Sequence, residues 1–152
     1  MVEEALNLAS MCELKQCFNY VKCSHFRVPG FVCLRDDTSG GYGGVVVPIR
    51  NHNPFSPFGT PAHGNGLQAV AVKVEGTTFL SLDIASSSLL ILSELEVILS
   101  TLVKPCFALG NFNCHHTLSD CGDVDSAGET LVDIMDKLDL CNSEQWGPNA
   151  SC

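Results

Sequence analysis

The chain has 152 residues, a length that suits one domain with a hydrophobic core and is short for two. Hydrophobic residues make up 45% of the chain and charged residues 16%, which is typical of a folded α/β or β-rich protein and excludes a disordered one. The formal net charge is −9, with only 8 Lys and Arg residues. This balance weakens any prediction of nucleic-acid binding, because affinity for phosphate normally comes from basic side chains.

The chain offers no segment suited to membrane insertion or secretion. Its apolar run at 89–92 is followed at once by polar and acidic residues, far short of the roughly 20 apolar residues that a spanning helix needs. The start, Met1 to Glu4, is acidic where a secretory signal would be basic. We therefore expect an intracellular protein, cytoplasmic or nuclear, with no membrane partner.

The nine cysteines are scattered and include no C-x-x-C pair. An odd number at irregular spacing argues against a disulfide framework and against a zinc ribbon or finger. We expect free thiols, several of them in the core.

In chain order, the first half of the sequence predicts two strands separated by loops. Residues 31–34 and 45–49 are short β-prone runs, and Pro48 indicates that the second of them lies at a sheet edge or a bulge. A Gly-rich loop is expected at 36–44, and a longer loop at 51–66, where Pro, Gly, Asn and His are dense.

The second half predicts a hairpin and two helices. Apolar residues alternate on either side of a turn over 67–84, which favours an antiparallel hairpin. The period changes to that of a helix at 88–102, returns to a short central strand at 106–109, and changes again at 127–140. This interleaving is typical of a mixed α/β (α+β) fold.

The start of the last helix carries a second signal. Ser126 with Glu129 three residues later has the spacing of a capping box, and Asp133 stands four residues before Lys137, as an intrahelical ion pair would require.

The most informative stretch is the predicted strand at 106–109 and the polar residues after it. The chain continues Gly110-Asn111-Phe112-Asn113-Cys114 and then His115-His116. Polar residues at alternate positions after a buried strand deliver two side chains to one place at the end of a sheet. This stretch resembles the Gly-Asp-Phe-Asn hallmark of the endonuclease/exonuclease/phosphatase superfamily, with Asn in place of Asp.

Other segments extend this resemblance, in order, to the front of the endonuclease domain of jockey-like non-LTR retrotransposons. Together they cover about residues 24–141 of what we expect to be a single partial domain over 1–152. The segments are His25 to Phe31, Gly41 to Val45, Ile49 to Asn51, Pro54 to Pro57, Gln68 to Val74 and Ser126 to Leu131.

The resemblance implies a two-sheet β-sandwich flanked by helices, the DNase I-like fold, truncated at its C-terminal side. It also implies a Mg²⁺-dependent phosphodiesterase that nicks DNA. In the family a Glu holds the metal, a Tyr contacts the phosphate, the hallmark Asp activates water and its Asn orients the phosphate. A later Asp and a Ser-Asp-His complete the site, and they would fall beyond Cys152. Hard oxygen ligands suit Mg²⁺, and a carboxylate can accept the proton that hydroxide formation releases.

Mapped onto this sequence, the metal-binding Glu falls on Glu13, which could equally be a surface carboxylate. The Tyr falls on Asp83, whose negative charge would repel a phosphodiester. Asn113 matches the phosphate-facing residue directly, but Asn111 replaces the water-activating Asp, and an amide has no basicity for that role. His115 and His116 resemble a His pair that follows the hallmark and are possible neighbours of the site.

These substitutions predict a remnant of the endonuclease that is catalytically inactive and binds Mg²⁺ weakly or not at all. DNA is the partner that the resemblance implies. Two alternatives stay open: a domesticated, non-catalytic binding protein of the same fold, and a metal-binding module built from Cys114, His115, His116 and Cys121. These four are correct ligand types for zinc, although adjacent His residues rarely both bind one ion.

Overall fold

The computed structural model describes residues 27–38, 44–60, 64, 66–85, 89–117 and 122–141. Within these ranges the chain forms six strands and two helices. In chain order they are β1 (Phe31–Asp37), β2 (Gly44–Arg50), β3 (Phe55–Phe58), β4 (Leu67–Val74), β5 (Thr77–Ile84), α1 (Leu89–Thr101), β6 (Cys106–Asn111) and α2 (Ser126–Lys137).

The strands form two sheets. β1 and β2 are an antiparallel hairpin, and the other four strands form a sheet in the order β3-β4-β5-β6. β4 runs antiparallel to both β3 and β5, whereas β6 runs parallel to β5. The expectation of a central strand at 106–109 is therefore half right, because β6 is a strand but lies at the edge of the sheet formed by the described residues.

Side chains alternate along β4 and β5, so the four-stranded sheet has two distinct faces. One face, here called the helix-covered face, carries Leu80, Leu82 and Ile84 against α1 and α2. Leu82 and Ile84 are fully buried. The residues that fill this core from the helices are Leu92, Leu95, Ile98, Leu99, Ala127 and Ile134.

The other face, here called the hairpin-covered face, carries Val70 and Val72 against the inward side of β2. Val45, Val47 and Ile49 supply that side, and all three are buried. The described residues therefore form three layers: helices, the four-stranded sheet and the two-stranded sheet. This arrangement confirms the α+β prediction.

A carboxylate joins the two sheets beyond the end of β3. β3 stops at Phe58, opposite Ala71, so among the described residues no strand lies beside the edge of β4 at Ala69. The Asp36 carboxylate of β1 accepts a hydrogen bond from the Ala69 N–H at 2.9 Å. Asp36 thus satisfies a backbone donor that a longer β3 would otherwise have paired.

The predicted hairpin is confirmed by the continuous β4 to β5 pairing from Leu67 opposite Ile84 to Val74 opposite Thr77. Both predicted helices are present, within one to three residues of the expected ends. The loop predicted at 51–66 is wrong in part, because it contains β3. Pro57 lies within this strand and is tolerated because β3 is at the sheet edge.

The start of α2 also differs from the prediction. The N-cap is Asp125 instead of Ser126, and its side chain accepts from the Gly128 N–H. Lys137 bonds Glu96 of α1, not Asp133 within its own helix. The predicted intrahelical pair is thus replaced by a contact between the two helices.

Neither described helix is long and apolar enough to cross a membrane. Of the cysteines in the described ranges, Cys33, Cys106 and Cys114 form no disulfide bond, as expected. Cys141 is disulfide-bonded, which corrects that expectation for this residue, and its partner lies outside the described residues.

Candidate functional site

The candidate site lies where β5 and β6 end side by side. Asp83 is the last residue but one of β5, Asn111 is the last residue of β6, and the two are direct partners across the parallel pair. Directly paired residues point to the same side of a sheet. Because Leu82 and Ile84 face the helices, Asp83 and Asn111 lie on the opposite, hairpin-covered face.

A third polar residue extends this row. Gln68 of β4 lies opposite Asp83 in the antiparallel register and is almost completely buried, with 6% of its surface exposed. Gln68, Asp83 and Asn111 therefore form a polar row across three neighbouring strands. The alternation of β4 places Gln68 on the same face as Val70 and Val72, so sequence periodicity could have assigned it to this row.

Gly110 allows β6 to lie this close to β5. A Cβ atom at Gly110 would lie 1.9 Å from the carbonyl oxygen of Leu82, which is far inside van der Waals contact. The main chain of β6 can therefore approach β5 here only with glycine at this position. This close approach aligns Asn111 with Asp83.

The turn after β6 holds Asn113 in a defined place. The Asn113 N–H donates to the side-chain oxygen of Asn111 at 3.0 Å. The Asn113 side-chain amide donates to the carbonyl oxygen of Ala85 at 2.9 Å. Asn113 is thus tied to the ends of both β5 and β6, and its backbone is left-handed, with φ 47°. Asn is among the residues that adopt this conformation most readily.

The structure thus brings together three of the residues that the sequence singled out, namely Asp83, Asn111 and Asn113. Their proximity is the geometry that the resemblance predicted, and their chemical roles stay predictions. Glu13, the expected metal ligand, lies outside the described residues.

The two histidines follow the turn with different exposure. His115 is exposed and His116 is half-buried. The main chain of His115 bonds Asp125, whose N–H donates to the His115 carbonyl at 3.0 Å and whose carboxylate accepts from the His115 N–H at 3.2 Å. These two contacts of His115 are therefore made by its backbone.

Asp125 is a neighbour of the candidate site that sequence reasoning missed. Its carboxylate accepts from the Gly128 N–H at 2.6 Å as well as from His115. These two backbone donors, the Gly128 bond first, hold the pKa of Asp125 below its ordinary value against the opposing effect of desolvation. The signal was present in the sequence, since Asp is as good an N-cap as Ser and stands directly before it.

The described residues do not by themselves suit Mg²⁺. At the strand ends they supply one carboxylate, that of Asp83, and the three amides of Gln68, Asn111 and Asn113, and the oxygen of Asn111 already accepts from Asn113. Mg²⁺ prefers several hard oxygen ligands around an octahedron. Over the described ranges, no group of three or more His, Cys, Asp or Glu side chains is placed to hold a metal ion.

The alternative Cys/His module is not assembled by the part of the chain that the structure describes. Cys114 packs against the helix-covered core, whereas its neighbour His115 is exposed. Cys121 lies outside the described residues.

These features define the class of fold. Helices on one face of a mixed sheet, a second sheet on the other face, and polar residues at the ends of two parallel strands are the features expected of the endonuclease/exonuclease/phosphatase fold. No family model and no curated protein matches the sequence.

A solved structure does match. The chain is similar to the endonuclease domain of TRAS1, a telomere-specific non-LTR retrotransposon, with a TM-score of 0.56 and 15% sequence identity. The match covers 74% of this chain and 53% of that domain, so this chain spans about half the length of its structural relative. At this identity the similarity shows a shared fold, and it confirms the fold that the sequence motifs predicted.

Proposed function

We propose that the chain is a remnant of a Mg²⁺-dependent, DNA-nicking endonuclease domain of a non-LTR retrotransposon, which keeps the fold and has lost the hydrolysis. The single observation that supports this most strongly is the direct pairing of Asp83 with Asn111 at the ends of two parallel strands. The two strand ends lie together as a site requires, but their carboxylate and amide side chains are not the ones that the family's hydrolysis uses.

The first mismatch is at Asn111. In the resembling family this position carries an Asp that activates water, and an amide cannot take that proton. The Asn111 oxygen instead accepts the Asn113 N–H. An oxygen engaged in a turn is also poorly placed to orient an attacking water.

The second mismatch is at Asp83. Where the family has a neutral phenol beside the phosphate, this chain has a carboxylate. Two negative charges about 4 Å apart repel by about 1 kcal/mol even in bulk water and by about 4 kcal/mol near a protein surface. Phosphodiester binding would be weakened at the position where it has to be tight.

The DNA partner is proposed from the resemblance and from the similarity to the endonuclease domain of a telomere-specific retrotransposon. The net charge of −9 opposes it. Weak, strongly salt-dependent DNA binding is therefore the most that we expect.

A plasmid-nicking assay tests the proposal. The parent protein, incubated with supercoiled plasmid and Mg²⁺, should leave the plasmid supercoiled. The Asn111→Asp variant should nick no faster, because restoring a base worth roughly 10²- to 10⁴-fold does not remove the charge at Asp83, and members of a catalytic unit are not recovered additively.

The outcomes separate the possible functions. Mg²⁺-dependent nicking by the parent would overturn the proposed loss of activity. Nicking by Asn111→Asp alone would show that Asp83 does not matter. DNA binding without nicking, measured as a gel shift that weakens with salt, would favour the non-catalytic binding protein of the same fold.

A further inference from the structure

The turn that carries Asn113 is held from a second side by the start of α2. Asp125 and His115 exchange two backbone-centred hydrogen bonds: the Asp125 N–H donates to the His115 carbonyl, and the Asp125 carboxylate accepts from the His115 N–H. His115 is only two residues beyond Asn113. Whatever fixes the main chain of His115 therefore limits where Asn113 can lie.

Both oxygens of the Asp125 carboxylate are used. One accepts from the Gly128 N–H at 2.6 Å and caps α2, and the other accepts from the His115 N–H at 3.2 Å. An Asn at this position would offer one oxygen and one amide nitrogen, so that a single oxygen would have to meet both donors. The bond to the second oxygen is the one that reaches the turn.

Gly128 makes this contact sterically possible. A Cβ atom at Gly128 would lie 2.0 Å from the His115 carbonyl oxygen. The first turn of α2 is thus shaped to receive the chain at His115. The backbone N–H of Asp125, its carboxylate and the space left by Gly128 thus all concern the main chain of His115.

We propose that Asp125 is a positioning residue, whose carboxylate acts through His115 to fix the turn that holds Asn113 at the ends of β5 and β6. The importance of Asn113 for phosphate contact rests on the function proposed above, whereas the positioning itself rests on the hydrogen bonds alone. The same backbone donors, the Gly128 bond first, lower the pKa of Asp125 from its ordinary value.

The test replaces Asp125 with Asn, which keeps one acceptor oxygen for capping and loses the other. The matched control is Asp123→Asn, which removes the same charge two residues away. We expect α2 to persist in Asp125→Asn, with unchanged far-ultraviolet circular dichroism. The N–H of Asn113 should exchange with solvent about three- to tenfold faster, as expected for a weakened hydrogen bond. Its side-chain amide signals should also move in the NMR spectrum.

The helix reports whether the effect is local. Amides in the middle of α2, such as that of Ile134, should keep their exchange rates in both variants, because a purely structural loss would change them together with Asn113. If Asp125→Asn unfolds α2, Asp125→Ser serves in its place, since its short side chain caps the helix without reaching His115. Unchanged Asn113 exchange in a folded Asp125 variant would overturn the proposal.

A second arm separates this inference from the proposed function. Binding of a short DNA duplex at low salt should weaken in Asn113→Ala and, by a similar factor, in Asp125→Asn, but not in Asp123→Asn. Unweakened binding in Asp125→Asn, when Asn113→Ala weakens it, would count against the positioning role. If neither the parent nor any variant binds DNA, the proposal that DNA is the partner is contradicted. The exchange rates of Asn113 then decide the positioning role by themselves.

Discussion

The two faces of the four-stranded sheet differ in how uniformly apolar they are. The helix-covered face is apolar along most of β5, with Leu80, Leu82 and Ile84 fully buried, and its buried Thr78 donates a hydrogen bond to the Val103 carbonyl. The hairpin-covered face is apolar at Val72 and polar at the strand ends, where Asp83 lies. Because neighbouring residues of one strand point to opposite faces, either face can change without the other. A site can lose its chemistry here while the core between sheet and helices stays intact.

The largest effect is expected from a change on the helix-covered face. Leu82→Ala should lower the free energy of unfolding by about 2 to 5 kcal/mol, because it leaves a cavity beneath α1 and α2. Urea denaturation measures this loss. The control is Val97→Ala on the outer side of α1, where the side chain is 53% exposed and the expected change is within about 0.5 kcal/mol. A similar cost at both positions would contradict the difference in burial.

Much of this core could be predicted from sequence, because burial imposes a period. The alternation at 67–84 and the helical spacing at 88–102 predicted the right elements, and Val97, the one apolar residue on the polar side of that helix, is exposed. β3 escaped prediction because it is four residues long and contains Pro57. In so short an edge strand, the alternation of apolar residues is too brief to be recognised among the turn-forming residues around it.

The site was only partly predictable, and for a different reason. Asp83 and Asn111 were found by their resemblance to a motif, and the register then showed them to be neighbours. The face of Gln68 and the capping role of Asp125 could be predicted from local patterns, but the pairing of Gln68 with Asp83 and the bond from His115 to Asp125 could not. Such contacts between residues distant in sequence are set by tertiary structure, and local patterns do not report them.

The next largest effect is expected at Gly110, where β6 lies close against β5 beside the candidate site. Gly110→Ala places a Cβ atom against the Leu82 carbonyl, so β6 must shift away from β5 at an expected cost of about 1 to 3 kcal/mol. Thermal or urea unfolding measures it. Gly59→Ala is the control, because nothing lies within 4 Å of a Cβ atom there. Equal stability of both variants would show that the close approach at Gly110 does not constrain the sheet.

A smaller, pH-dependent effect is expected from the bonds that hold the site turn to α2. The pKa of Asp125 is lowered from its ordinary value of 3.8 in the folded chain, so its contribution to stability is present above that value and is lost as the pH falls through the folded pKa. The stability difference between the parent and Asp125→Asn should therefore shrink as the pH is lowered below about 4. Unfolding curves at several pH values measure this, and a difference that stays constant would contradict it. Asp123→Asn controls for the change in overall charge.

The smallest effect is expected in the helix layer, at the exposed ion pair between Lys137 of α2 and Glu96 of α1. The Lys137 side chain is 67% exposed, so solvent and salt screen the pair, and Lys137→Met should cost less than about 1 kcal/mol. The informative quantity is the coupling between positions. A double-mutant cycle of Lys137→Met with Glu96→Gln should give a small coupling energy that falls as salt is added, whereas the cycle with Asp133→Asn should give none. Coupling to Asp133 alone would mean that Lys137 pairs within its own helix in solution, as the sequence spacing suggested. The contact between the two helices would then rest on their apolar side chains without help from this charge pair.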